Sequence, residues 1–353
     1  MQNPFKADST GIQRKPLRLT RDDLVAVSEL RSGQPLPLSI EPRIKRLDPV
    51  AWIAGRRDWL GSQLAEHGGI LLRNFPISGI AEFEELMRAF AGELMEYSYR
   101  STPRHKVQGN VYTSTEYPHY QHIPLHNENS YAAAWPMKIG FFCQQVAAVG
   151  GQTPIADSRL VYARIDPEVR ERFARKQVMY IRNYGSGIDL PWQTVFQTSE
   201  RAEVEAYCRA AQIKWEWGEG DRLRTSQVRQ AVARHPRTGE MVWFNQAHLF
   251  HITNLEKDVR EPLLESFGEE RLPRQARYGD GAPIEAAELE EVRRAYRETA
   301  VDVDWQTGDV LVLNNMLVAH GRRPYSGPRR ILAAMGEVYH MEEDQVADAA
   351  PGV

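Results

Sequence analysis

The chain has 353 residues, of which 42 % are hydrophobic and 26 % are charged, as in ordinary soluble globular proteins. Its 44 Lys and Arg against 47 Asp and Glu leave a net charge of −3. This balance argues against a dedicated binder of nucleic acid or of anionic membranes, since such proteins need a basic excess. Only two cysteines occur, Cys143 and Cys208, so a disulfide framework and a cysteine-rich zinc site are excluded.

The hydrophobic pattern predicts neither a secretory signal nor a membrane span. The polar first residues lack the apolar core of a signal peptide, and no apolar run approaches the roughly 18 residues that a span needs. Together with the scarcity of cysteine, this predicts a cytoplasmic protein. Because sulfur ligands are scarce, the 10 histidines are the natural place to look for metal chemistry.

The spacing of apolar residues predicts a mixture of helices and strands that follows a polar, flexible arm at 1–20. Helices are predicted at 22–30, 51–66, 80–94, 158–178, 201–212, 260–267 and 285–299. Short strand-like runs occur between 108 and 160, and strands are predicted at 70–76, 242–244, 310–313 and 330–336. Gly68 and Gly69 stand where the second helix should end.

The chain has no repeat, no low-complexity tract and no change of composition that would mark a linker. We therefore predict a single domain over 21–345, of the α+β class with a mainly β core, and a lid inserted at about 180–240. A doubly wound parallel sheet is the alternative that the alternating helices leave open. The chain lacks the glycine-rich turn that binds phosphates in such folds.

The sharpest chemical signal is the pair His126 and Glu128. In an extended chain, residues two apart point to the same face, so this imidazole and carboxylate project together. They would supply two of the three ligands of a facial metal triad, and His320, which follows the strand at 310–313, is the candidate third ligand. The spacing alone also fits a simple hydrogen-bonded pair.

Two further features favour an oxygenase site. Arg329 and Arg330 open an otherwise apolar strand, and a buried guanidinium needs an anion, for which its planar fork suits a carboxylate. Thr153, which follows two glycines and a glutamine, adds a hydroxyl group. A zinc hydrolase that uses His119 and His122 is the alternative metal site, but it leaves these features unexplained.

The motifs of this chain occur in an order that resembles the pattern of a known family. The order is the His-x-Glu pair, the Gly-Gly-x-Thr segment, the distal histidine and the strand arginine. They are similar to the Fe(II)/2-oxoglutarate dioxygenases of the taurine-dioxygenase (TauD/TfdA) and clavaminate-synthase-like family, over roughly 45–340. The resemblance is closest to a branch of nonribosomal-peptide biosynthesis that includes the syringomycin-type aspartyl hydroxylase. The segments that carry it are 184–196, 223–236 and 315–324.

The resemblance implies both a fold and a set of cofactors. The implied fold is a double-stranded β-helix (jelly-roll) of the clavaminate-synthase-like type, wrapped by helices. The implied cofactor is Fe(II), with 2-oxoglutarate and O₂ as co-substrates. Carried over by position, His126, Glu128 and His320 are the iron ligands, and Thr153 supplies a hydrogen bond to 2-oxoglutarate.

The resemblance assigns the distal carboxylate of 2-oxoglutarate to one of two neighbouring arginines. Arg330 is favoured because Leu332 and Ala334 continue its face of the strand. Arg329 is the rival, since the gap from the distal histidine is one residue shorter here than in taurine dioxygenase. Ala334 also stands where taurine dioxygenase has a second, sulfonate-binding arginine, so a sulfonate substrate is not expected.

The function that the resemblance implies is hydroxylation of the β-carbon of an amino acid in specialised-metabolite biosynthesis. The amino acid is either free or tethered to a peptidyl carrier protein, and no nucleic acid or membrane partner is expected. Glu128 argues against halogenation, because related halogenases have Gly or Ala there so that chloride can bind iron. Desaturation and epoxidation share every motif and stay open, as does a non-catalytic pathway partner or regulator that retains the fold.

Four residues are predicted to contact the substrate, namely Arg182, Asn129, Asn245 and Trp192. Arg182 carries a guanidinium that suits a substrate carboxylate. Trp192 belongs to a tryptophan-rich loop that is a candidate lid, although simple packing explains such a loop equally well.

Overall fold

The computed structural model describes residues 24–96 and 104–340. The predicted arm at 1–20 lies outside the described residues. None of the helices in these two ranges is long and apolar enough to cross a membrane. The ten α-helices described there are α1 (Pro49–Ala54), α2 (Arg57–His67), α3 (Ile80–Ala91), α4 (Ser158–Arg164), α5 (Pro167–Lys176), α6 (Trp192–Phe196), α7 (Arg201–Ala210), α8 (Ala247–Phe250), α9 (Lys257–Phe267) and α10 (Ala286–Thr299).

Strands make up most of the remaining regular structure in the described ranges. They are β1 (Val25–Arg31), β2 (Gln34–Pro42), β3 (Gly69–Leu72), β4 (Lys106–Gln108), β5 (Val111–Thr113), β6 (Ile123–His126), β7 (Ala134–Gln145), β8 (Val149–Gly150), β9 (Thr153–Asp157), β10 (Val178–Tyr184), β11 (Lys214–Trp217), β12 (Leu223–Arg229), β13 (Val232–Arg234), β14 (Met241–Trp243), β15 (Arg274–Tyr278), β16 (Val301–Val303), β17 (Val310–Asn314), β18 (Val318–Arg322), β19 (Tyr325–Ser326) and β20 (Arg330–His340).

The largest sheet has eight strands in the order β1-β2-β3-β17-β7-β20-β5-β4. Its strands pair antiparallel except for β2 and β3, which run parallel. Phe142 and Leu332 on one face pack against helices α1 to α3. Phe141 and Ala333, one residue out of phase, belong to a different core on the opposite face. The sheet is therefore buried on both faces.

A second sheet covers that opposite face. It has four strands in the order β16-β9-β18-β6. Its residues Ile155 and Val318 share one buried cluster with Phe141 and Ala333 of the large sheet. One of the hydrophobic cores thus lies between two facing sheets, as expected when two β layers bury their apolar faces together. The chain has a mixed architecture of helices and sheets, and this agrees with the predicted α+β class.

A third sheet, in the order β11-β12-β10-β15, contains most of the predicted insertion at 180–240. Strands β10 to β12 and helices α6 and α7 fall in or next to that range, whereas β15 comes from later in the chain. Tyr180 of β10 packs against Tyr131 and Phe250 at ring-centroid distances of 6.2 and 5.0 Å. This sheet is therefore joined to the rest of the core, and its function as a lid stays a prediction.

The predicted helix at 22–30 is wrong, because this segment is the first strand of a hairpin. β1 pairs antiparallel with β2 across a tight turn at Ser32 and Gly33. Gly33 has a φ of +76°, which suits glycine, and its N–H donates to the Glu29 carboxylate at 2.7 Å. A two-residue turn that contains glycine, between alternating segments, is a hairpin signal.

The predicted helix ends are partly correct. Gly68 ends α2 in the left-handed conformation, with its N–H donating to the Leu64 carbonyl at 2.9 Å, as predicted. The helix predicted at 158–178 is instead divided at Asp166 and Pro167. The Asp166 side chain accepts hydrogen bonds from the first backbone N–H groups of α5, and Pro167 begins that helix, so a new helix starts there.

Candidate metal centre

Two histidines face each other across neighbouring strands. His126 is the last residue of β6 and His320 is the central residue of β18. The register of this antiparallel pair sets them directly opposite each other. Their ring centroids are 4.6 Å apart. Because opposite residues present their side chains on one face of a sheet, both rings can reach a single ion.

Glu128 joins the histidines from the turn after β6, and Asn315 holds that turn. The Glu128 backbone N–H donates to the Asn315 Oδ1 at 2.7 Å, and the Asn315 Nδ2 donates to the Glu128 carbonyl at 2.9 Å. Asn127 adds hydrogen bonds from its Nδ2 to the Asn315 carbonyl and the Ser158 hydroxyl. Asn315 is fully buried. This network fixes the backbone on which the Glu128 carboxylate stands.

The three side chains form a compact donor set. One ligand atom from each of His126, Glu128 and His320 lies within 4.8 Å of the others. Burial lowers the pKa of His126 despite the nearby Glu128 carboxylate, and burial together with His126 and Arg104 lowers the pKa of His320 well below its ordinary value. The imidazoles are therefore neutral, as metal ligation requires.

The donor set fits Fe(II). The Nδ1 of His320 is buried and has no hydrogen-bond partner among the described residues, so a lone pair is available to a cation. Two neutral imidazoles and one carboxylate are the ligands that non-haem Fe(II) oxygenases use, with further coordination positions left open. In the part of the chain that the structure describes, this is the one group of three or more His, Cys, Asp or Glu placed to share an ion. The alternative zinc ligands His119 and His122 lie outside it.

A buried arginine that sequence analysis missed contacts the Glu128 carboxylate. The Nη2 of Arg104 donates to the Glu128 Oε2 at 2.6 Å, and both side chains are 3 % exposed. Such a charge-assisted hydrogen bond is short and strong, and it leaves the second carboxylate oxygen for a cation. Arg104 lies outside every predicted element, so no spacing in the sequence marked it.

A small cavity opens beside both histidines, and three arginines, Arg104, Arg322 and Arg329, line it together with Thr153. Burial lowers the pKa of Arg329 to about 10, and the neighbouring charge of Arg322 adds to this effect. Arg322 donates to three backbone carbonyls within 117–121, yet its Nε is buried without a partner among the described residues. Two desolvated guanidinium groups beside one cavity favour an anionic ligand.

The orientation predicted for Arg330 is wrong, because its side chain is exposed. Arg329 lines the cavity together with Ile331. Leu332 and Ala334, which were expected to continue the face of the site, pack on the opposite side against helices α1 to α3. Only one of the two arginines faces the site, as strand alternation requires, and it is Arg329.

The position of Asn245 does not support the substrate contact that was predicted for it. Asn245 is fully buried, and its Nδ2 donates to the Ala231 carbonyl at 2.7 Å. Its Oδ1 accepts from the Ala247 N–H at 3.0 Å. Both ends of the amide thus bond to the backbone, and Asn245 holds the start of α8 rather than facing the cavity.

Trp192 is part of the packing and not of an open lid. It is 2 % exposed and makes an edge contact with Trp217 at a centroid distance of 5.3 Å. Its indole N–H donates to the Asp221 side chain at 3.1 Å. The substrate contact predicted for Trp192 therefore has no support in the geometry.

We expect Trp192→Ala to lower the free energy of unfolding by about 3–5 kcal/mol, since it removes a large side chain from a closed core. Urea unfolding measures this, with Trp59→Ala as the control, because Trp59 is 36 % exposed. The control should change stability by less than about 1 kcal/mol. An unchanged stability of Trp192→Ala, together with weaker substrate binding, would instead indicate that Trp192 belongs to a lid that contacts the substrate.

The remaining predicted substrate contacts, Arg182 and Asn129, are both buried. Asn129 directly follows Glu128, adopts a left-handed conformation with a φ of +56°, and borders a cavity of about 860 Å³ that is distinct from the one lined by the two histidines. Arg182 lies on β10 with its side chain 2 % exposed. Neither residue lines the cavity beside the histidines, and their contact with substrate stays a prediction.

A buried cluster of two histidines and one glutamate beside a cationic cavity is the donor set that mononuclear non-haem iron oxygenases use. The family "Taurine catabolism dioxygenase TauD, TfdA family" matches residues 32–335. The chain therefore belongs to the TauD/TfdA family. It is a 2-oxoglutarate-dependent non-haem iron dioxygenase, with Fe(II) as cofactor and 2-oxoglutarate and O₂ as co-substrates.

Similar proteins of known sequence or structure support this family assignment. The dapdiamide synthesis protein DdaC of Enterobacter agglomerans is 45 % identical over 282 residues, which cover 80 % of this chain and 86 % of DdaC. A clavaminate synthase-like protein of Arabidopsis thaliana is 31 % identical over 293 residues, with the same two coverages of 80 % and 86 %. The structure of PvcB from Pseudomonas aeruginosa shares the fold, with a TM-score of 0.52 at 16 % identity, over 93 % of this chain and 95 % of PvcB. The predicted family, enzyme class and cofactors are thus confirmed.

Proposed function

We propose that the protein oxidises an unactivated C–H bond of an amino-acid-type small molecule in specialised-metabolite biosynthesis, with hydroxylation of a β-carbon as the reaction. The observation that supports this most is the His126–Glu128–His320 cluster beside a cavity that three arginines line. In this proposal these three side chains hold Fe(II). The iron, with 2-oxoglutarate and O₂, supplies the oxidising power, and the surrounding protein positions the substrate and excludes water.

The fold and the pathway belong to the same proposal. We propose that the two facing sheets form the double-stranded β-helix of the family, with the third sheet as a lid in a single domain. The 45 % identity to a dapdiamide synthesis protein supports a function in the synthesis of a small natural product. A cytoplasmic location, and a substrate that is either free or bound to a carrier protein, are compatible with this function.

Within the cavity we propose that Arg329 binds the distal carboxylate of 2-oxoglutarate, with Thr153 as a second donor. Trp305 orients this hydroxyl group, because its indole N–H donates to the Thr153 Oγ1 at 3.0 Å. The hydroxyl oxygen thereby accepts one hydrogen bond, and its own proton is available to an anion in the cavity. Thr153 is only 4 % exposed, so its hydroxyl has few other partners to choose from.

We expect Trp305→Phe to raise the KM for 2-oxoglutarate roughly threefold to tenfold, which corresponds to one neutral hydrogen bond. Trp217→Phe is the control, because its indole N–H donates to Glu205, in the third sheet region away from the cavity. Steady-state succinate formation measures both. Equal KM values in the two variants would contradict a role for Trp305 in holding Thr153.

Glu128 favours oxygen insertion over halogen transfer. A carboxylate ligand occupies a metal position that a halide would need, and the buried contact with Arg104 holds it in place. The same ligand set is compatible with desaturation or epoxidation, so the outcome depends on where the substrate carbon lies.

The test is a reconstitution with Fe(II) under anaerobic conditions, followed by the addition of O₂ and 2-oxoglutarate. Succinate formation is expected even without substrate, at a low rate. Free and carrier-bound amino acids are then screened side by side by mass spectrometry. A gain of one oxygen atom indicates hydroxylation or epoxidation, and a loss of two hydrogen atoms indicates desaturation. A protein that binds iron yet never forms succinate would instead favour the non-catalytic pathway partner.

A further inference from the structure

The segment that carries His126 and Glu128 lies at the edge of a sheet. Strand β6, which ends at His126, is the outermost strand of the second sheet and pairs with β18. The chain then leaves this sheet in the turn that contains Glu128. We call residues 125–130 the ligand segment. Because strand pairing holds an edge strand on one side alone, other groups must hold this segment if its side chains are to keep one position.

Two buried side chains donate hydrogen bonds to the backbone on either side of His126. The His248 Nε2 donates to the Leu125 carbonyl at 2.9 Å, and the Gln246 Nε2 donates to the Asn127 carbonyl at 2.7 Å. Burial lowers the pKa of His248 to about 3, so its imidazole is neutral and carries one proton. That proton lies on Nε2, because a carbonyl oxygen can only accept. The peptide groups before and after His126 are thus both held from outside the sheet.

A third side chain holds the far end of the ligand segment. The Gln230 Nε2 donates to the Ser130 carbonyl at 3.0 Å. Gln230 and Gln246 are each 5 % exposed, and His248 is 2 % exposed. Hydrogen bonds that are sheltered from water in this way are electrostatically stronger than exposed ones. These donors add to the contacts that Asn315 makes with the backbone of Glu128.

The two donors beside His126 are themselves held by other parts of the fold. The backbone N–H of Gln246 donates to the hydroxyl group of Tyr180, on β10 of the third sheet, at 2.8 Å. The His248 ring packs against the ring of Tyr296, on α10, at a centroid distance of 4.9 Å. Both donors are therefore fixed before any ion binds.

We propose that Gln246 and His248 are positioning residues of the metal site. This inference rests on the proposed function. The two side chains hold the backbone around His126 and thereby set where the His126 imidazole and the Glu128 carboxylate lie relative to His320. Groups that orient metal ligands raise metal affinity, because the ion then does not have to order the ligands when it binds.

The first test is the variant Gln246→Met, which removes the amide donor at a similar side-chain volume. We expect the Kd for Fe(II), from anaerobic titration of the full chain, to rise roughly threefold to tenfold, as the loss of one neutral hydrogen bond predicts. Gln275→Met is the matched control. Gln275 is also 5 % exposed, and its Nε2 donates to the Glu270 carbonyl at 2.9 Å, outside the ligand segment. The control should keep the wild-type Kd.

Hydrogen exchange of the metal-free protein gives a readout that does not depend on iron. The peptide that covers 125–130 should exchange roughly threefold to tenfold faster in Gln246→Met and at the wild-type rate in Gln275→Met. A purely structural role of Gln246 would instead speed exchange throughout the core and leave the Kd for Fe(II) unchanged.

A second pair of variants tests the donor at His248. His248→Phe keeps an aromatic ring but removes the N–H, whereas His248→Gln keeps an N–H donor. We expect a rise in the Kd for Fe(II) of roughly threefold to tenfold in His248→Phe and a partial return towards the wild-type value in His248→Gln. These variants test the proposal even if Gln246→Met does not fold.

The assignment is overturned by equal Kd values in Gln246→Met and Gln275→Met, or by equal values in His248→Phe and His248→Gln. Titration of the wild-type protein separates this inference from the wider proposal. If the wild-type protein does not bind Fe(II), the proposed function fails. If it binds Fe(II) and forms succinate, but the variant comparisons fail, only the positioning role is rejected.

Discussion

Arg329→Gln is expected to raise the KM for 2-oxoglutarate roughly a hundredfold, which corresponds to the loss of about 3 kcal/mol from a buried, charge-assisted carboxylate contact. Arg329 lines the cavity beside the histidines, whereas its neighbour Arg330 is exposed. Arg330→Gln should therefore leave the KM within about twofold of the wild-type value. Steady-state succinate formation at several 2-oxoglutarate concentrations measures both variants.

The two variants form a matched pair, because they differ by one position and remove the same group. Equilibrium dialysis with labelled 2-oxoglutarate adds a readout that does not depend on turnover. If Arg330→Gln is the variant that loses affinity, strand β20 presents its other face to the cavity, and the assignment of 2-oxoglutarate to Arg329 fails.

Glu128→Gln should reduce substrate oxidation to below about 1 % of the wild-type rate, because an amide is a much poorer ligand for a divalent cation than a carboxylate. Iron binding, measured by titration under anaerobic conditions, should weaken in parallel. Glu128→Ala should lose activity to the same extent. It also removes the carboxylate that accepts from Arg104, so it should lower the free energy of unfolding as well.

Glu288→Gln controls for the loss of an ion pair made by a buried carboxylate, although its partner Arg172 is 40 % exposed. Glu288 is 6 % exposed and pairs with Arg172, outside the metal cluster. This control should lower stability without changing iron affinity. Near-normal turnover of Glu128→Gln would remove Glu128 from the metal site, and the three-ligand assignment with it.

The first two candidate ligands could be predicted from the sequence because the information is local. His126 and Glu128 are two residues apart in one short segment, and their types alone suggest a metal. Asn315 and Arg104, which hold Glu128, could not be predicted in the same way. Their contacts depend on how distant turns meet after folding, and no periodicity in the sequence records that meeting.

The sequence could not show which of Arg329 and Arg330 faces the cavity, and the physical reason is different. Alternation along a strand shows that only one of them faces the site, but it does not show which. Strand β20 is apolar on both faces, because Leu332 packs against helices and Ala333 against the second sheet. A strand that is buried on both sides carries no polar face to orient it.

The β1–β2 hairpin was predicted as a helix because the helix propensity of its first segment was weighed above its turn. The segment 25–31 contains residues that suit a helix, yet β1 is an edge strand of the large sheet. The Ser32–Gly33 turn was the stronger signal, because a glycine with positive φ at a two-residue turn sets the register of both strands.

In the proposed iron site, the pairing of His126 with His320 would tie iron binding to the alignment of β6 and β18. A slip of one residue between these strands would turn His320 to the opposite face and separate the ligands. Only the correctly aligned chain can then bind the metal, and binding lowers the free energy of that alignment relative to all others. In that site the ion would stabilise the correct alignment of the two strands in addition to its chemical function, and iron uptake during refolding would report when β6 and β18 pair.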